Sequence, residues 1–126
     1  MRIVIETIPA IEQRYETLGD YWLDGDGTMQ IRVSDMGNEY YEFLCAIHEA
    51  IEFMLCRRKG IAEEDIMAFD IAHPELHEPG AHPDAPYRKE HNFAEHIEYL
   101  IARQMNMKWE DYEAAAEGTF NAIVIG

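Results

Sequence analysis

The chain has no long hydrophobic run. A helix that crosses a bilayer needs about 20 apolar residues in succession, and the apolar stretches here are a few residues each, so no membrane span is expected. The opening Arg2-Ile3-Val4-Ile5 has the look of a strand rather than of the long apolar core of a secretory leader, and a cytoplasmic location is the expectation. Positive charge is scarce as well. The 10 Lys and Arg stand against 25 Asp and Glu, a formal net charge of −15 over 126 residues. Phosphate backbones repel such a chain, so nucleic acid is not an expected partner. Cations, a basic partner or plain solubility all agree with it. Only two cysteines occur, Cys45 and Cys56. Eleven residues apart on one helix, they would share a face but sit about 16 Å apart along the axis. No disulfide closes that gap, and two free thiols agree with a reducing compartment.

Two residue types are missing from most of the chain and concentrated in one part. Four of the five prolines fall within the stretch from Phe69 to Arg88, and all six histidines lie between residues 48 and 96. The 48% hydrophobic content is that of a folded protein, and the length suits one domain over residues 1–126 with a single core.

The elements follow from local pattern. Residues 2–5 read as a short strand ending before Pro9, and Ala10–Leu18 is a short helix or a connecting loop. Asp24-Gly25-Asp26-Gly27 is a turn between two strand-like runs, Asp20–Leu23 and Thr28–Val33, which together make a β-hairpin. The turn carboxylates lack the twelve-residue spacing of an EF-hand. A long helix is expected from Asn38 or Glu39 to Lys59. Arg57-Arg58-Lys59 suit the negative end of its dipole and Gly60 its C-terminal cap. A short helix from Ala62 to about Ala68, a long Pro-rich loop over 69–88, a helix over 89–105 and a shorter one from Lys108 or Trp109 to about Glu117 complete the chain. The apolar tail, residues 119–126, is expected to add a strand or to fray. The fold class is α+β, with a small sheet layer packed on the long central helix and a second helix toward the C-terminus.

The chemistry concentrates in His48-Glu49-Ala50-Ile51-Glu52. At about 100° per residue, His48 and Glu52 stand one turn apart, about 40° from each other. Leu44, Ile47, Ile51, Met54 and Leu55 spread over about 240–340° as the expected buried face. His48 and Glu52 then lie at its edge, with Glu49 turned further toward solvent. Two ligands at i and i+4 can hold one ion, and the adjacent Glu can activate its water. In the later helix, His91, Glu95 and Glu98 form one polar stripe beside an apolar face of Phe93, Ile97, Leu100 and Ile101. His91 is therefore the expected third ligand. Asp70, Glu95 or a loop histidine (His73, His77 or His82) are the alternatives, and Glu95 or Glu98 would orient a ligand from behind. His96 lies off the stripe. Cys45 and Cys56 flank His48 and Glu52, but small buried hydrophobes is the simpler role for them.

Several segments carry a family resemblance: GDYWLDGDGT, IRVSDMG, HEAIEFMLCRRKGI, PDAPYRKEHNFA and the late MKWEDY. They resemble a group of small uncharacterised bacterial and phage or prophage proteins over nearly the whole chain. The His-Glu helix is similar to that of minimal zincin-like metallopeptidases. The resemblance implies a zincin-like fold and a zinc-dependent peptidase or related hydrolase acting on a peptide or protein. It matches His48 to the first zinc ligand and Glu49 to the general base. Glu52 departs from the pattern by standing where a second His would be, which favours somewhat harder ions. Other readings are a catalytically silent metal-binding protein, a magnesium-dependent nucleotide pyrophosphohydrolase using Glu49, Glu52, Glu95 and Glu98, and an acidic mimic that occupies a DNA-binding protein.

Overall fold

Asp24 organises the turn on which the sheet is built. Its Oδ1 accepts from the backbone N–H of Asp26 and of Thr28, each at 3.2 Å, while Oδ2 accepts from Gln30 Nε2 at 2.8 Å. A carboxylate that caps its own turn in this way needs no ion. The turn joins β2 (Gly19–Leu23) and β3 (Met29–Ser34), antiparallel, with Gly19 opposite Val33 and Leu23 opposite Met29. The computed structural model describes residues 1–125, and in it a third strand completes the sheet. This strand, β1 (Ile3–Ile8), pairs parallel to β3 on the side away from β2. The order is β1-β3-β2. β3 is thus central, and of the two hairpin strands β2 lies at the edge of the sheet, its outward groups at Gly19, Tyr21 and Leu23 bonded to Thr17, Asp20, Arg14 and Glu63.

Helix α1 (Glu39–Lys59) starts at Asn38, whose side chain accepts from the N–H of Tyr40 and Tyr41 at 2.9 and 3.2 Å. That satisfies two of the donors left open by a helix start. Glu42 Oε2 reaches back to the N–H of Met36 at 2.8 Å. Gly60, with φ 75°, closes the other end. Both termini fall where the sequence puts them. α2 (Glu63–Ala72) runs four residues past the expected Ala68, and a 3-10 turn at Pro79–Ala81 interrupts the Pro-rich stretch. α3 (Arg88–Gln104) follows. α4 (Trp109–Ile125) does not stop near Glu117, so the expected extra strand or frayed end over 119–126 is helix through Ile125, and Gly126 lies outside the described residues. Phe120 explains the continuation. It is only 3% exposed, and burying an aromatic ring outweighs the roughly 1 kcal/mol that Gly118 costs within a helix. Ala10–Leu18 holds a short 3-10 turn at Ala10–Glu12.

The fold is α+β, as the pattern implied. Met29, Ile31 and Val33 of β3 pack with Tyr21 of β2 against Cys45, Ala46, Phe53 and Cys56 of α1. Tyr21 and Phe53 stack with centroids 4.8 Å apart. Leu44, Ala102 and Tyr112 make a second apolar cluster where α1, α3 and α4 meet.

One expectation is reversed. The face of α1 built from Ile47, Ile51, Met54 and Leu55 is not its most buried one: Met54 is 42% exposed and the other three are half-buried. On α3, Phe93 is 53% exposed and Leu100 is exposed too. The deeply buried positions are His48, Glu52, Phe53 and Cys56 on α1, and Glu90, His91, Ala94, Glu98 and Ala102 on α3. The polar stripes therefore face inward. Ala94 and Ala102, fully buried on α3, let that helix approach α1, and His48 bonds with Glu52 and Glu98 while His91 Nδ1 meets Glu52 across the seam.

Candidate metal centre

His48 and Glu52, one turn apart on α1, meet His91 from the first turn of α3. His48 Nε2 lies 3.0 Å from Glu52 Oε2 and 3.1 Å from His91 Nδ1, and His91 Nδ1 lies 3.0 Å from the same Glu52 oxygen. Three donor atoms thus form a nearly equilateral triangle. In a tetrahedral zinc site with bonds near 2.0–2.1 Å, neighbouring ligand atoms stand about 3.4 Å apart. A spread of a few tenths of an ångström would admit an ion. This buried group of His48, Glu52 and His91 could hold a metal ion.

The groups behind the triangle fix which atoms face it. His48 Nδ1 sits 2.8 Å from Glu98 Oε1. With Nδ1–H donating to that carboxylate, a neutral His48 carries its lone pair on Nε2, toward the triangle. The Tyr112 hydroxyl donates to the other oxygen of Glu98 and holds it in place. The Tyr21 hydroxyl donates to Glu52 Oε1 at 2.8 Å, which leaves Oε2 for the triangle. With both histidines neutral and His91 protonated on Nε2, three lone pairs would converge with nothing between them. That is repulsive unless a proton or a cation intervenes.

Protonation reflects this competition. Burial lowers the pKa of both histidines, but the carboxylates prevail: Glu52 and Glu98 raise His48 well above its ordinary value, and Glu52 and Glu95 bring His91 to about 9. For Glu52, burial works upward, yet the bonds with His48 and His91 pull it down to about 2. A cation entering the triangle must displace these protons.

Glu49 is not turned to solvent as its helical angle suggested. It is half-buried, and its side chain lies under β2 so closely that a Cβ at Gly19 would come within 2.7 Å of it. Burial first, and then the charge of Glu52, push its pKa well above the ordinary carboxylate range. No hydrogen-bonded partner holds its carboxylate among the described side-chain bonds. Like the three triangle residues, it lines a cleft of about 910 Å³, solvent at the mouth included, which is bounded by β2, α2, α3, α4 and the Pro-rich loop.

The remaining predicted candidates separate. Asp70 faces the same cleft but is held by the hydroxyls of Tyr15 (2.9 Å) and Tyr87, not by the triangle. His73 and His82 pack with Phe69 in an aromatic cluster, at centroid distances of 4.1 and 5.5 Å from its ring. His77 lines the cleft beside Glu78, and His96 is exposed. Glu98 turns out to orient His48 on the facing helix, whereas Glu95 stands 3.5 Å from His91 Nε2. Cys45 and Cys56 are buried free thiols outside the converging groups, with pKa values raised first by burial, for Cys56 to about 12.

Sequence reasoning did not single out Tyr21, Tyr112 or Gly80. The tyrosines had one faint signal, since a buried hydroxyl seeks an acceptor. Gly80 had none. It is buried against His91, where a Cβ would lie 2.5 Å from Nδ1, the triangle atom itself. Gly80→Ala is therefore expected to displace the His91 ring and weaken metal binding about 10–100-fold, the range seen when support behind a ligand is lost. Competition with a chromogenic chelator measures it, and unchanged affinity would mean that the loop yields instead. Comparison with protein-family models, curated proteins and solved structures gives no match, so what this centre does has to be read from its own side chains.

Proposed function

We propose that the chain is a zinc-dependent peptidase or related hydrolase on a minimal zincin-like plan. His48, Glu52 and His91 hold the ion and Glu49 acts as general base. The observation that carries this reading is the convergence of three donor atoms within 3.1 Å of one another in a cleft that also contains an unpaired, raised-pKa carboxylate. Two imidazoles and one carboxylate suit zinc better than magnesium, which prefers oxygen ligands. A zinc ion held there would supply Lewis acidity and a bound water of pKa about 7. Glu49 accepts the proton of the attacking water and can return it to the leaving amine.

The cleft wall suggests the substrate. Asp20, Glu63, Asp70, Glu78 and Glu113 line it, and its one arginine among the described residues, Arg14, is engaged by Asp20 at 2.6 and 2.9 Å. A substrate with positive charge suits such walls. The edge of β2 borders the cleft, and an extended peptide adding to it as a strand would take over backbone groups now bonded to Thr17, Asp20, Arg14 and Glu63. Magnesium chemistry on Glu49, Glu52, Glu95 and Glu98 fits less well, because His48 sits between the carboxylates of Glu52 and Glu98.

A metal-binding protein without turnover is the second reading. The deep burial of all three ligands, none more than 7% exposed, favours it. Elemental analysis of protein purified without a metal-affinity step, followed by assay on a Lys- and Arg-rich peptide, separates the two. About one zinc surviving dialysis, lost in His48→Ala and His91→Ala, together with hydrolysis, is the expected result. Zinc without hydrolysis would leave the second reading, and protein free of metal would remove both.

A further inference from the structure

The sequence His-x-x-x-Glu occurs on both helices that form the centre. On α1 it is His48 and Glu52, which face the triangle. On α3 it is His91 and Glu95, and this second pair points elsewhere. His91 uses Nδ1 in the triangle, so Nε2 projects from the far side of the ring toward Glu95 Oε2, 3.5 Å away. The residue is 5% exposed, yet Nε2 is a buried atom with no hydrogen-bond partner. Leaving such a buried atom unsatisfied is unfavourable, so a group that could bond it is expected nearby. A separation of 3.5 Å is long for a hydrogen bond, though close enough for Glu95 to help raise the His91 pKa. It matches the spacing of about 3.4 Å between two ligands of one tetrahedral zinc.

A third donor comes from the Pro-rich loop. Glu78 precedes the 3-10 turn that brings Gly80 against His91, and the ligand atoms of Glu78, His91 and Glu95 all lie within 4.8 Å of one another. Glu78 at the cleft wall and Glu95 are both partly exposed, so this group is more open to solvent than the triangle.

We propose that Glu78, His91 and Glu95 form a second divalent-cation site, joined to the inner one by His91 as a bridging imidazolate. The proposal rests on the inner triangle being a metal site. The charges balance: Glu52, Glu78, Glu95 and the imidazolate carry four negative charges against two divalent ions. Binding of the outer ion displaces the remaining N–H proton of His91 to solvent, so filling this site releases acid and favours higher pH. Because the outer site is open, its ion exchanges faster than the inner one. Together the two ions would make the centre dinuclear, with the outer ion beside the cleft that Glu49 lines.

The test begins with protein carrying one zinc that survives dialysis. Titration with Cu2+ at pH 8 is expected to show one further equivalent. In the double variant Glu78→Gln, Glu95→Gln, which changes charge but little volume at half-exposed positions, that equivalent should bind at least a hundredfold more weakly while the dialysis-stable zinc stays. Loading metal-free protein with two Cu2+ should give a paramagnetic resonance signal weakened by exchange through the bridge, whereas the double variant gives the signal of an isolated ion. Wild-type protein that stops at one ion overturns the second site and leaves the inner one standing. A second equivalent untouched by the double variant also overturns it. Protein that binds no ion at all, or that keeps its zinc in His48→Ala, removes the inner reading and this one with it.

Discussion

Glu49→Gln is expected to keep its zinc and to hydrolyse a cationic peptide about 10²–10⁴-fold more slowly than the wild type. Glu49 is not one of the three converging donors, so its removal leaves the ion's protein ligands intact. Glutamine has the same length and fits the same space under Gly19. What it lacks is basicity. Its surroundings raise the basicity of the glutamate: burial and then the charge of Glu52 push its pKa up, and the charge of His48 opposes them. A cation in the triangle would draw that pKa down again, toward a group that is ionised at neutral pH and still able to take a proton. Zinc content and kcat measured on the same preparation check the prediction. Full activity in the variant would move the base elsewhere. The next candidate is Asp70, brought to about 6 by burial against the opposing bonds from Tyr15 and Tyr87, and Asp70→Asn would then carry the loss.

The residues that fix local structure were readable, and those that complete the site from a distance were not. Asn38 and Gly60 bracket α1 because capping is a matter of neighbouring atoms, and Asp24 to Gly27 make the hairpin for the same reason. The i,i+4 spacing placed His48 beside Glu52, and the angle of His91 on its own helix was enough to bring it to them. Periodicity failed where burial depends on a partner. It marked Met54 and Phe93 as inward, yet both are exposed, because α1 and α3 turn their His and Glu stripes toward each other. A hydrophobic pattern has no means of showing that Glu98 will lie against His48, fifty residues away, or that Tyr112 will hold it there. Glu49 was misplaced for a related reason. Its helical angle was right, but β2 covers that side of the helix. The tail was misread because Ile123 and Val124 favour strands in isolation, whereas Phe120 anchors the segment as helix.

Metal-free protein is expected to lose stability as pH rises from about 6.5 to 9, and zinc-loaded protein to keep it. The folded state raises both histidines above their unfolded value of about 6.5, His91 to about 9 and His48 in the same direction. A group with a raised folded pKa stabilises fully below its unfolded pKa, and that contribution is lost as pH climbs through the folded value. Glu52 moves the other way, to about 2, so its contribution persists across this window and fails only in strong acid. Without metal, the melting temperature should therefore fall by about 5–10 °C between pH 6.5 and 9, given that about 1 kcal/mol corresponds to a few degrees in a domain of this size. Zinc removes that slope, because the ion requires both histidines unprotonated, and its stabilisation over the metal-free form grows as the protons it displaces are held less tightly at higher pH. The two melting curves should diverge steadily, with little effect of zinc at pH 5 and the largest at pH 9. In His48→Ala the gap should close at every pH. A zinc shift independent of pH, or one that survives in His48→Ala, would place the ion somewhere other than the triangle, since only there must it compete with the protons that Glu52 and Glu98 hold on the histidines.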